Sequence, residues 1–105
     1  MDQISTSYAE NVRWFDETLG VGRNCDLVSR DFFIGGRKAR IWVIDGYGRD
    51  AILERMGAFW LSLKPEDVKS IADMQGFVNR FVTFSETNVS LIPSDIVTDV
   101  LLGKP

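Results

Sequence analysis

"CDLVSRDFFIGGRKARIWVIDG", residues 25–46, decides the fold. Two runs rich in β-branched and aromatic residues flank Gly35-Gly36, a dipeptide that accepts the positive φ angles of a two-residue hairpin turn. The runs are therefore predicted to pair antiparallel. In the second, Ile41 and Val43 alternate with Trp42 and Ile44, so apolar side chains point to both faces and the strand is expected to be covered on both sides. In the first, Val28, Phe32 and Ile34 share a face with Arg30. That makes Arg30 a candidate for a partly buried charge, with Asp26 or Asp45 as its expected partner.

Outward from this core, the spacing of apolar residues changes from two to that of a helix. Before it, Ser7 and Glu10 have the form of a capping box, and Tyr8, Val12, Phe15 and Leu19 recur at helical intervals until Gly20. Trp14 lies off that stripe and is a candidate contact, either with flanking side chains or with a further domain. After it, Ile52, Met56, Phe59 or Trp60, and Leu63 mark a second helix opening at Asp50. Lys64-Pro65-Glu66-Asp67 ends that helix and starts another, with Pro65 suited to a first helical position and two acids favoured by the dipole. Its face is expected to continue through Val68, Ile71, Gln75 and Val78, past a weakening Gly76. "RFVTFSETNVS", residues 80–90, reads as a short strand. A last helix starts at Pro93-Ser94, buries Ile96, Val97, Val100 and Leu101, and closes at Gly103.

The predicted fold class is α/β, a small mixed sheet with an antiparallel hairpin, covered by helices. With 105 residues, 45% hydrophobic and 26% charged, the chain is expected to form one globular domain, 1–105. The net charge of -3 argues against nucleic acid as a partner, because phosphate neutralisation needs a basic surface. One cysteine, Cys25, cannot form an internal disulfide, so a reducing compartment fits, and without a neighbouring cation the thiol is expected to be inert. The N-terminus lacks the basic start and apolar run of a signal peptide. "IWVI" and "AFWL" are far shorter than a membrane span. The sequence has no histidine, which removes Ser-His-Asp and Cys-His nucleophilic sites and the common zinc sites. A non-enzymatic role without cofactor, metal or catalytic residues is expected.

The loop Asp45-Gly46-Tyr47-Gly48-Arg49-Asp50 follows the second strand, where α/β folds often place ligands. Asp45 ends the strand, Gly46 and Gly48 permit the turn, and Asp50 is expected to cap the next helix through its side chain. The alternative is a ligand or interface role for Asp45, Gly46 and Asp50. A calcium loop would need further carboxylates. Arg30, Arg37, Lys38 and Arg40 gather positive charge on the hairpin, either as a solvated edge or as a docking surface for an acidic partner or anionic headgroups.

These residues also carry a family resemblance. Asp26-Leu27-Val28, Arg30, Phe32, Ile34, Gly36, Ile44-Asp45-Gly46 and Asp50 resemble the opening domain of the GerA-type spore germination family, which includes the A subunits of germinant receptors and the stage V sporulation protein AF. "AENVRWFDETLGVG" is similar to the family's first helix and Leu-Gly turn, and "SDIVTDVLLGKP" to a helix that precedes another strand. The chain departs from the family at Leu102, where a serine is common, and at Tyr47-Gly48. The resemblance implies a soluble N-terminal subdomain of a larger protein embedded in the inner spore membrane, on its cytosolic (spore core) side. It implies a role in signalling and assembly for germination and ion release. Its partners would be a second subdomain, the membrane domain and other complex subunits, with homo-oligomers through the sheet edge also open. Germinant sensing by the same domain, and an unrelated small enzyme using carboxylates such as Asp26 and Asp45, are the alternatives.

Overall fold

The hairpin forms as the glycines dictate. In the computed structural model, which describes residues 1–23, 26–44, 50–82, 87 and 89–103 and excludes the side chains of 50–53, β1 (Leu27–Ile34) and β2 (Arg37–Ile44) make a two-stranded antiparallel sheet. Gly35 and Gly36 between them have φ of 57° and 82°, values that a side chain with a Cβ adopts only with strain. The helices among the described residues are α1 (Tyr8–Leu19), α2 (Asp50–Ser62), α3 (Pro65–Val68), α4 (Met74–Phe81) and α5 (Pro93–Leu101). The fold is mixed α/β, a small antiparallel sheet with helices packed on it. All residues of β2 from Ala39 to Ile44 are half-buried, so both of its faces are partly covered.

By contact, the chain divides into two units. One comprises Met1–Asp31, Arg40–Gly48 and Ser90–Pro105, the other Phe32–Ala39 and Arg49–Val89. The division runs through both strands of the hairpin, so its open end belongs to the first unit and its turn to the second.

In the first unit, α1 packs on α5 around a core of Phe15, Leu19, Leu27 and Val100, with Trp14, Trp42, Ile44, Ile96 and Val97 against it. Burying such side chains stabilises by roughly 1.5–3 kcal/mol each. Ser7 caps α1 by accepting the Glu10 amide at 3.3 Å. The Glu10 carboxylate accepts from the Ser5 hydroxyl at 2.7 Å, and it is that hydroxyl which receives the Ser7 amide. The expected reciprocal box is thus completed through Ser5. Gly20, at φ 77°, ends α1 by donating to the Asp16 carbonyl. Pro93 opens α5 and is fully buried, while Leu101, expected on the buried face, is exposed.

The second unit has an aromatic core. Trp60 of α2 stacks on Phe32 of β1 with centroids 5.9 Å apart and rings 4° from parallel. It also meets Phe77 of α4 and donates its indole N–H to the Phe81 carbonyl at 3.0 Å. Met56, Val68 and Phe81 are buried here. Arg80 and Phe81 are the last residues of α4 and Val82 is its C-cap, so the strand expected over residues 80–90 is helical at its start. Residues 83–86, which would continue it, lie outside the described residues. The predicted single helix from Pro65 is broken into α3 and α4 at residues 69–73, ahead of Gly76. Asp73 starts the second of them: its carboxylate accepts the Gly76 amide at 2.9 Å and caps α4.

Candidate functional site

Among the described residues, a connected polar cluster lies in the first unit, at the open end of the hairpin. A two-residue turn at 35–36 puts Arg40 opposite Asp31 and Ser29 opposite Trp42, and period-two alternation leaves all four on one face. The Arg40 guanidinium donates from Nη1 to Asp31 Oδ2 at 3.0 Å. Its Nη2 donates to both oxygens of Asp16 on α1 at 3.2 Å and to Ser29 Oγ at 2.9 Å. Asp16 Oδ1 also accepts the Trp42 indole N–H at 2.8 Å, and Asp31 Oδ1 accepts the Tyr8 hydroxyl at 2.8 Å. The guanidinium carbon lies 5.6 Å from the Trp42 ring centre.

This arrangement holds charge in place. Burial works to lower the Arg40 pKa, but the hydrogen bond it donates to Asp31 and the negative charges of Asp16 and Asp31 outweigh it, and the pKa is raised. Burial, followed by the hydrogen bond to the Asp31 carboxylate, pushes the Tyr8 phenol up to about 12. The cluster ties α1 to both strands of the hairpin. Among the described residues, the Arg40 Nε is buried without an acceptor.

A second feature belongs to the second unit, beside the turn. Gly35 sits against α3 so closely that a Cβ there would overlap the Val68 side chain. Arg37, the first residue after the turn, lines two hollows. One, of about 410 Å³, is shared with Pro65, Glu66 and Lys69, and the other, of about 270 Å³, with Ile34, Ile71 and Phe77.

The expected site residues are scattered among these places. Arg30 is exposed, not half-buried: it shares its strand face with Val28, itself 46% exposed. Arg40 takes the buried role instead, because its side chain alone lies over the carboxylate that α1 presents. This withdraws Arg40 from the proposed basic edge, on which Arg37 and Lys38 remain exposed. Asp26 is exposed. Trp14 is half-buried and packs locally, edge-to-face on Phe15 at 4.9 Å. Asp45, Gly46 and Cys25 lie outside the described residues. Asp50 is the first residue of α2, and its side chain falls outside them too, as does the Ile52 side chain.

Asp16, Asp31, Tyr8 and Trp42 escaped the sequence reading as a cluster. Asp31 was within reach, since counting back from the turn sets it across from Arg40. Asp16 was not, because its position depends on how α1 packs. Among the described residues, no group of three or more His, Cys, Asp or Glu side chains converges as a metal site, and no helix is long and apolar enough to cross a membrane. No protein-family model, no curated protein and no solved structure matches this chain.

Proposed function

We infer that the chain is a non-enzymatic module of a GerA-type spore germination membrane protein, acting in signalling and assembly of the complex that carries out germination and ion release. One observation carries the reading: the family-like motifs occur in order along the elements that would use them. Asp26-Leu27-Val28, Arg30, Phe32 and Ile34 run into and along β1, Gly36 is in the turn, Ile44 ends β2, and Asp50 opens α2. The lack of histidine supports a non-enzymatic role by removing the commonest general base. In this reading the module stands on the cytosolic face of the inner spore membrane and works through a second subdomain and neighbouring subunits.

The genomic reading frame beyond Pro105 tests it. A further soluble segment followed by several apolar spans of about 20 residues each is expected, and a frame encoding no membrane span would remove the proposal. Amide NMR titration with amino acids, nucleosides and divalent cations separates assembly from sensing. The expected result is no shift, whereas perturbations clustered at residues 45–50 would replace assembly by ligand sensing.

A further inference from the structure

The chain has three methionines, and they occupy three different settings. Met56 is 4% exposed, in the core of the second unit, while Met1 and Met74 are 43% and 58% exposed. Met1 lines neither hollow, whereas Met74 lines the one of about 270 Å³ together with Ile34, Val68, Ile71 and Phe77. Val68 is buried and the other three are half-buried. Met74 is the first residue of α4, directly after its cap Asp73. It shares a helix face with Phe77, three residues on, and Phe77 in turn meets Trp60 at 6.0 Å and Phe81 at 5.5 Å. Met74 thus joins a side chain open to solvent to an apolar lining.

We propose that Met74 is a reversible oxidation site, through which a hydroperoxide loosens the start of α4. The thioether sulfur attacks one peroxide oxygen, so that an S–O bond forms and the O–O bond breaks. The sulfur is oxidised to the sulfoxide, and the peroxide is reduced and leaves as water or an alcohol after taking up a proton. A thiol-dependent reductase reverses the step, its two thiols becoming a disulfide as the oxygen departs as water. The three settings give three outcomes. At Met1 the new polar group is solvated and changes nothing around it. At Met56 the core keeps the oxidant out. At Met74 the sulfoxide forms readily and then faces the apolar lining of the hollow, where a polar group without a hydrogen-bond partner is costly. The proposal stands independently of the germination reading, since it uses only the geometry of the second unit.

The test treats the whole chain with dilute hydrogen peroxide and follows each methionine by peptide mass spectrometry. Met74 is expected to gain its oxygen about tenfold faster than Met56, which reacts only when the core opens. Protein carrying the sulfoxide at position 74 should unfold at lower urea, with amide shifts at Ile71 and Phe77, and methionine sulfoxide reductase should restore both the midpoint and the spectrum. Met74→Leu keeps Met1, Met56 and Cys25 as targets and should hold its midpoint through the same treatment. Met74→Gln should show the lower midpoint without peroxide. Oxidation of Met74 no faster than Met56, a sulfoxide at position 74 that leaves the midpoint unmoved, or an equal loss in Met74→Leu would overturn the proposal.

Discussion

Arg40 faces two carboxylates, and its side chain is only 14% exposed, so what replaces Asp16 matters as much as that it is replaced. Asp16→Asn keeps an acceptor for the Trp42 indole and loses only charge, whereas Asp16→Ala leaves the indole N–H and the guanidinium short of an acceptor. The alanine variant should lose about 2 kcal/mol and the asparagine variant about half as much in urea denaturation, the range for hydrogen bonds to charged groups. Tyr8 supplies a pH signature. Its folded pKa of about 12 exceeds the ordinary 10.0, so the folded state holds the phenolic proton more tightly than the unfolded chain. The resulting stability is present in full below pH 10, declines above it, and is gone beyond about 12. Ultraviolet titration should show one tyrosine ionising late, and Tyr8→Phe should remove that late phase and flatten the alkaline loss of stability. At this scale the sequence showed which residues carry charge but not which are paired. Arg30 and Arg40 are alike as letters, and the difference arises from the helix that covers one strand face and brings Asp16 with it.

Elements were more legible, because their signals are local. Ser7, Gly20, the Gly35-Gly36 turn, Pro65 and Pro93 each mark a boundary through backbone chemistry that needs no tertiary information. The break between α3 and α4 was missed because the apolar spacing runs on unbroken, while Asp73 competes for the backbone as a cap. Asp73→Ala should therefore cost about 1 kcal/mol, the usual loss of an N-cap, and raise amide exchange in the first turn of α4. The turn offers a sharper contrast. At Gly35 a Cβ would overlap the Val68 Cγ2 and lie 3.1 Å from the Lys64 carbonyl, whereas at Gly36 the nearest atom is Pro65 Cγ at 3.7 Å. Gly35→Ala is expected to cost about 3 kcal/mol from overlap and positive φ together, and Gly36→Asn under about 1 kcal/mol. Val68→Ala should recover part of the Gly35→Ala loss in a double-mutant cycle, since it removes the overlapping methyls.

For the whole molecule, the fold class followed from the hairpin and the helical periods, but the division into two units did not. That division depends on which long-range contacts close, and no local pattern encodes them. Both units draw on the same two strands, so loss of either removes part of the sheet the other uses. Unfolding should therefore be cooperative. The Trp14→Phe/Trp42→Phe variant reports through Trp60 in the second unit, and Trp60→Phe reports through the tryptophans of the first. Fluorescence midpoints in urea that match circular dichroism within each variant are expected, and separate midpoints would show that the units unfold independently.

The Ile4 amide donates to the Leu91 carbonyl at 3.0 Å, joining segments far apart in the sequence. The first unit needs residues from near both ends of the sequence, while the segments of the second, Phe32–Ala39 and Arg49–Val89, lie between them. On the ribosome the aromatic core around Trp60 has all its residues before α5 has emerged, and Phe15, Leu19 and Leu27 wait for Val100 to cover them. The apolar stripe of α1 thus waits longer for its cover than the aromatic core does, which makes α1 the place where a chaperone would bind the nascent chain.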